Sequence, residues 1–216
     1  MQTAMDSVNT YLGTDMGIKK LMPGFETWPD VTDPFTGYGP GCGENGSIFC
    51  HANTWAIIAE AMLGNGSRAW KYFTQLLPHL ALQKAGIEKY QAEPYAWVSN
   101  IVGPENSRYG WANVNHVTGT ASWMDVAATQ YLLGVRPMIQ GLCINPCIPG
   151  DWKSFSVSRK YRGCRVNISV SNSFGVEKGV KSIIVDGSSI LFGAIPGIPS
   201  KLMEGKTEVD VQVVMC

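Results

Sequence analysis

Neither charge is in excess in this chain: Lys plus Arg and Asp plus Glu number 17 each. No block of basic residues occurs, so neither nucleic acid nor an anionic membrane surface is indicated as a partner. Histidine is scarce, with only His51, His79 and His116. The Cys143–Cys147 pair has no second cysteine or histidine pair to complete a zinc site, and no metal is expected. No apolar run approaches the roughly 20 residues of a membrane span. Met1 to Lys20 lacks the charged start and apolar middle of a signal peptide, so a cytoplasmic location is expected. The six cysteines (Cys42, Cys50, Cys143, Cys147, Cys164 and Cys216) are even in number. In a chain of this size without an export signal they are expected to be reduced thiols, most of them buried.

What is present describes a globular protein. The 216 residues are 45% hydrophobic and 16% charged, enough to bury one large core or two smaller ones. Aromatics are plentiful, with seven Trp and eight Tyr. Such rings pack on the flat faces of sugars and equally fill ordinary cores.

The hydrophobic period changes along the chain. Met5–Leu12 reads as a helix closed by Gly13, and Met22–Gly46 as a long irregular stretch in which Phe25, Trp28, Phe35 and Tyr38 need packing partners. Asn53–Leu63 reads as a helix with Asn53 as N-cap and Trp55, Ile58, Ala59, Met62 and Leu63 on one face. Ser67 is expected to cap a second helix to Leu77, with Ala69, Trp70, Phe73, Leu76 and Leu77 as its buried stripe. One or two further helical turns are expected in Leu80–Tyr90, a loop over Gln91–Asn115, and a third long helix over Thr120–Leu133, with Trp123 on its apolar side. From there the pattern alternates: Phe155–Tyr161, Cys164–Val170, Val180–Val185 with the hairpin signal Asp186-Gly187, and Val209, Val211 and Val213 read as strands. Helices followed by strands give an α+β chain with a boundary near Pro137–Gly141.

Two helix starts stand out. Cys50-His51-Ala52-Asn53-Thr54-Trp55 and His116-Val117-Thr118-Gly119-Thr120-Ala121-Ser122-Trp123 both place small or hydroxyl residues where backbone N–H groups lack partners. If they converge they suit an anion, phosphate above all. Glycine lets a backbone approach an anion closely, threonine donates a hydroxyl, and histidine a ring N–H. On the residues alone, Thr118 or Thr120 reads equally as a simple helix cap and His51 as a hydrogen-bonded core histidine. Arg108 and His116 are weaker polar candidates, and His79 reads as a surface residue.

These motifs form an ordered set. Gly43-Glu44-Asn45-Gly46-Ser47-Ile48-Phe49-Cys50-His51, Ala59–Gly66, Glu93-Pro94-Tyr95, Thr118–Trp123, Ala127–Pro137, Pro146–Pro149, Trp152, Tyr161-Arg162-Gly163 and Val185-Asp186-Gly187 occur in that order. Together they resemble the inverting β-glucoside phosphorylases, the cellobiose and chitobiose phosphorylases of glycoside hydrolase family 94. The resemblance implies that the chain is the last part of a longer protein. Residues 1–138 would be the terminal helices of an (α/α)6 barrel catalytic domain, and residues 139–216 an antiparallel, jelly-roll-like β-sandwich.

By the same resemblance, His51, Thr118 and Gly119 bind phosphate. Glu44 and Asn45, just before His51 in sequence, are expected to bond sugar hydroxyls, although a charged loop residue is more often only solvated. Phosphate, as a substrate and not a cofactor, attacks the anomeric carbon and inverts it, giving a sugar 1-phosphate and a free sugar. The expected partners are a β-linked disaccharide or oligosaccharide and phosphate, with a homodimeric parent. The family's general acid is an Asp in an Asp-Trp-Asn stretch. This sequence has none, and Asp125 and Asp151-Trp152-Lys153 are not its counterparts, so no catalytic residue is assigned. A non-catalytic carbohydrate-binding or scaffold role is the alternative. A hydrolase would need a second carboxylate as base, and none is evident beside His51 or Thr118.

Overall fold

A computed structural model describes residues 1–26 and 38–216. Trp28, Pro29, Pro34 and Phe35 of the irregular stretch lie outside the described residues. The chain divides into two units, the first comprising residues 1–59 and 71–125 and the second residues 60–70 and 126–216.

In the first unit, helix α1 (Gln2–Ser7) continues as a wider π turn through Leu12. Helix α2 (Cys50–Leu63) carries the chain towards the second unit, and α3 (Gly66–Leu76) returns it. Short helices α4 (Pro78–Ala85) and α5 (Ile87–Tyr90) follow. Strands β1 (Ile48–Phe49), β2 (Val98–Ile101) and β3 (Ala112–Asn115) form an antiparallel sheet in that order. The expected Gln91–Asn115 loop therefore contains two strands. They are short and interrupted by a Gly- and Asn-rich turn, which hides their alternation.

The α2 reading needs two corrections. The helix begins three residues before Asn53, so Asn53 is not its N-cap. Its buried positions include Asn53, Thr54, Ile57, Ile58 and Ala61, with Glu60 buried against the Arg68 and Asn65 side chains, while Trp55 is 56% and Met62 60% exposed. Asn53 and Thr54 are inside because each has a backbone partner. Asn53 donates to the Ile18 and Phe49 carbonyls, both at 2.9 Å, and accepts from Ile18 N–H at 2.7 Å. Thr54 donates to the His51 carbonyl at 2.6 Å. Helix α3 starts at Gly66, so Ser67 lies inside its first turn and is not its cap. Its buried positions Ala69, Tyr72 and Leu76 keep helical spacing, although Trp70 and Phe73 are only half-buried. Helix α6 (Thr120–Val126) buries Thr120 and Met124 and widens into a π turn over Ala127–Leu132. Trp123, expected on its buried side, is 38% exposed.

The second unit is built on two sheets. Strands β4 (Val135–Met138), β5 (Gly141–Ile144) and β10 (Gly197–Pro199) form one, in the order β10-β5-β4. The other has the order β6-β7-β11-β8-β9, from β6 (Ser154–Tyr161), β7 (Cys164–Ser171), β8 (Ser182–Val185), β9 (Ser188–Ile190) and β11 (Glu208–Val214). Their inner faces share one core, in which Val135, Leu142, Ile144 and Ile198 meet Val166, Ile168, Val170, Ile183, Val211 and Val213. The alternation in β7 is as read: Val166, Ile168 and Val170 are buried and Arg165 and Ser169 exposed. Asp186 and Gly187 sit at φ 48° and 79°, the left-handed pair of a tight hairpin between β8 and β9. The sandwich is mixed rather than wholly antiparallel, because β11 runs parallel to β7 from Glu208 opposite Arg165 to Val214 opposite Ser171. A parallel neighbour requires a crossover, and no local sequence signal marks one.

All six cysteines are free; four are buried, Cys42 is half-buried and Cys216 is exposed. Among the described residues no helix is long and apolar enough to cross a membrane, and no cluster of His, Cys, Asp and Glu is arranged to hold a metal ion.

Candidate functional site

The two helix starts singled out in the sequence meet within the first unit. His51 lies in the first turn of α2. Its ring is so close to the start of α6 that a Cβ added at Gly119 would stand 3.0 Å from His51 Cε1 and 3.1 Å from Nδ1. A side chain there would make the imidazole give way by a few tenths of an ångström. His51 Nε2 is buried and has no hydrogen-bond partner among the described residues. A buried polar atom without a partner is costly, of order 1–3 kcal/mol, so this nitrogen calls for a partner such as a ligand or water.

Two tryptophans flank the ring. The Trp55 centroid lies 5.2 Å from that of His51, edge to face, and the Trp123 centroid 6.1 Å away; the two indoles meet at 6.4 Å, near perpendicular. Sequence periodicity assigned both to the core. Both are instead partly exposed beside His51 at the candidate site, and the available signal was their position, four residues after each of His51 and Gly119.

Thr118 and Thr120 are organised as one unit. The Thr120 N–H donates to Thr118 Oγ1 at 3.1 Å, and the two hydroxyl oxygens are 2.8 Å apart. Thr120 Oγ1 also donates to the Val98 carbonyl on β2 at 3.2 Å. That leaves the proton between the two hydroxyls to Thr118. Turning the Thr118 O–H onto an anion would leave the Thr120–Val98 bond in place. Gly119 occupies the N-cap position: its carbonyl accepts from Trp123 N–H at 3.3 Å and from Ser122 Oγ at 3.1 Å. The preceding backbone is held in left-handed conformations at Val114 (φ 53°) and His116 (φ 64°). For a β-branched residue this is strained geometry that the surroundings must impose. Asn115, between them, donates to the Glu93 carboxylate. That bond, after the backbone hydrogen bond to Glu93, holds this carboxyl below its ordinary range.

The Glu44–Asn45 turn is placed differently. Glu44 is half-exposed and ion-paired with Lys20, whose ammonium lies 4.6 Å from the Phe49 ring centroid. Asn45 is buried, and its amide is engaged in the fold. It accepts from Phe25 N–H at 2.7 Å and donates to the Phe25 carbonyl at 2.8 Å and the Tyr38 carbonyl at 2.9 Å. Both of its amide hydrogens are therefore committed to the loop. Of the weaker candidates, Arg108 is exposed and stacks 4.2 Å from the Trp111 centroid, and His79 and His116 are exposed.

Chemically, the arrangement offers an imidazole nitrogen without a partner, a rotatable hydroxyl and a bare backbone at a helix start, beside two partly exposed indoles. Residues 1–134 match the glycosyl hydrolase 94 superfamily, catalytic domain, and residues 136–178 match the glycosyl hydrolase family 65, C-terminal domain. The chain is 43% identical over 195 residues to N,N'-diacetylchitobiose phosphorylase of Vibrio proteolyticus, covering 90% of this chain and 24% of that protein. It is 42% identical to the enzyme of the same name from Vibrio furnissii, covering 88% of this chain and 23% of that one. It is also 34% identical to solabiose phosphorylase of Paenibacillus borealis, covering 89% and 25%. The chain thus spans about a quarter of the length of these relatives.

Proposed function

The chain belongs to the glycosyl hydrolase 94 superfamily, and on that footing we propose that it carries part of the phosphate cradle of an inverting glycoside phosphorylase. In this reading the helices of the first unit belong to an (α/α)6 barrel in the parent enzyme. The carrying observation is the buried, unpaired His51 Nε2 against the bare Gly119 backbone, one residue from the Thr118 hydroxyl. An anion there satisfies the orphaned nitrogen when it bears a proton, takes the Thr118 O–H, and sits at the positive end of α6.

The chemistry asked of these residues is positioning. A phosphate oxygen forms the new bond to the anomeric carbon while the glycosidic C–O bond breaks. The departing oxygen takes its proton from a general acid. Phosphate is already an anion, so no base is needed, and the cradle's work is to hold it near the sugar at the angle of attack. Glu44, at the edge of the turn, is the residue proposed to meet a sugar hydroxyl. Asn45 contributes by fixing that turn. The substrate class proposed is a β-linked disaccharide, as the family resemblance implies, and the relatives are named as phosphorylases of N,N'-diacetylchitobiose and solabiose.

Titration of the chain with inorganic phosphate, followed by the His51 ring resonances, tests the cradle. A saturable shift that weakens in Thr118→Val is expected. A ring unaffected by phosphate, or a response indifferent to Thr118→Val, refutes the assignment. Because the Asp-Trp-Asn acid stretch is missing from these 216 residues, the chain by itself is proposed to be inactive. Release of sugar 1-phosphate from N,N'-diacetylchitobiose and phosphate by the isolated chain would overturn that.

A further inference from the structure

The second unit contains a cleft unrelated to the His51 cradle. About 420 Å³ in volume, it is lined by Ser67, Trp70, Pro149, Asp151, Trp152 and Glu177, with Gly150. Two half-buried indoles form its aromatic wall: Trp70 and Trp152 meet edge to face with centroids 4.9 Å apart, and Phe155 backs Trp152 at 6.4 Å. Two carboxylates share the rim. Glu177 accepts the Ser67 hydroxyl proton, and Asp151 is exposed on the turn closed by Trp152 N–H to the Pro149 carbonyl at 3.1 Å.

The walls are fixed in advance. Ile148 N–H donates to the Glu177 carbonyl at 2.9 Å, tying the two loops together. The fully buried Asn172 side chain holds Val176 through both its N–H, at 3.0 Å, and its carbonyl, at 2.8 Å. A Cβ at Gly150 would stand 2.6 Å from the Gly175 carbonyl oxygen, and one at Gly66 only 2.2 Å from that of Ile148. Three segments thus converge at backbone contact to set the cleft.

We propose that this cleft binds a neutral pyranose unit of an oligosaccharide. An indole wall offers a flat apolar surface to the C–H face of a sugar ring, and a carboxylate rim accepts its hydroxyl protons. A preformed cleft spends little of the binding energy on ordering itself. The two carboxylates select against anionic sugars, so the cleft is a docking point for unmodified chain and no second phosphate site. This assignment rests on the second unit alone and is independent of the cradle.

The test is an NMR titration of the 216-residue chain with cellotetraose and with tri-N-acetylchitotriose, read on the indole N–H signals of Trp70 and Trp152. A saturable shift with Kd of about 1 mM or tighter is expected for at least one of them. Glu177→Gln and Asp151→Asn, which keep the size of each side chain, are each expected to weaken it about fivefold or more; Trp152→Phe is expected to abolish it. His51→Ala should leave it unchanged. The C6-oxidised, anionic counterpart of the better probe should bind at least tenfold more weakly. Absence of a saturable shift with either probe, indifference to both carboxylate variants, loss on His51→Ala, or equal binding of the anionic chain would each overturn the proposal.

Discussion

Gly119→Ala separates the stability of the first unit from the competence of its cradle. Its φ is not in the left-handed region, so alanine meets no backbone strain there. Two costs remain. At an N-cap, alanine is inferior to glycine, by about 1 kcal/mol or less. The new methyl also stands 3.0 Å from His51 Cε1, so the ring must retreat by a few tenths of an ångström towards Trp55 and Trp123. Both indoles are partly exposed and give way, so the steric share is small. The sum is about 1 kcal/mol, which for a chain of this size lowers Tm by about 2–4 °C. Phosphate is affected more, because the methyl occupies the approach to the backbone and displaces the nitrogen meant to meet the anion. A loss of affinity of about tenfold or more is expected, equivalent to 1.4 kcal/mol. The assay is phosphate titration by His51 resonances alongside thermal unfolding. Unchanged phosphate affinity with the His51 resonances displaced would refute the placement of phosphate between these two helix starts. A Tm loss beyond about 8 °C would refute the claim that the site is loosely walled.

Three further outcomes follow from the same geometry. Gly66→Ala puts a methyl 2.2 Å from the Ile148 carbonyl oxygen, a backbone atom that cannot step aside; a net loss of about 1–3 kcal/mol is expected by chemical denaturation despite alanine's better helix propensity, and a stabilised variant would show that contact to be wrong. Asn53→Asp keeps the shape but removes two donors facing the Ile18 and Phe49 carbonyls, so unfolding free energy at neutral pH should fall by more than about 3 kcal/mol; a loss under 1 kcal/mol would remove Asn53 from the fold's supports. Burial pushes the Cys50 thiol up to about 12 and Cys147 up to about 11, so both remain protonated and unreactive at pH 8, below those values. Iodoacetamide mapping should therefore label Cys216 first and Cys42 next, with Cys50 and Cys147 labelled only after denaturation; equal rates for Cys50 and Cys216 would contradict the buried placement.

Much of this was legible in residue order. Strict alternation in Cys164–Val170 and the Asp186-Gly187 turn are local signals, and the structure follows them. The existence of α2 and α3 and their stops was equally local, because Gly64 takes φ 94° and Pro78 opens the next helix. The faces of the helices were not. In α2 the heavy apolar residues Trp55 and Met62 point out while Asn53 and Thr54 point in, since Asn53 finds its partner at the distant Ile18 and Thr54 satisfies its hydroxyl on the His51 carbonyl. The parallel β7–β11 pairing joins residues about 43 apart in sequence, and no local composition encodes that. For the site, the residue types at the two helix starts were readable, while the two indoles beside His51 were hidden by a helical period that assigned them inward.

Buried asparagines account for a further part of what the sequence did not show, and for the same reason in each case. Asn45, Asn53 and Asn172 are buried, and each grips both the N–H and the carbonyl of a single loop residue: Phe25, Ile18 and Val176 respectively. Only a primary amide carries a donor and an acceptor at the spacing that completes such a two-point clasp; aspartate lacks the donor and serine the reach. The clasp gives an irregular segment the backbone pairing that a strand would otherwise supply, so the loop can be buried without orphaned polar groups. Read locally, an asparagine suggests a helix cap, a turn or a sugar contact, because its partner lies 20 or 35 residues away for Asn45 and Asn53. The candidate site therefore rests in part on polar side chains whose amides are engaged by the backbone. Asn53 holds the Ile18 segment to the turn of α2 that carries His51, and Asn45 fixes the turn that presents Glu44. Cutting either clasp is expected to shift the segment it anchors without changing the identity of any proposed binding residue.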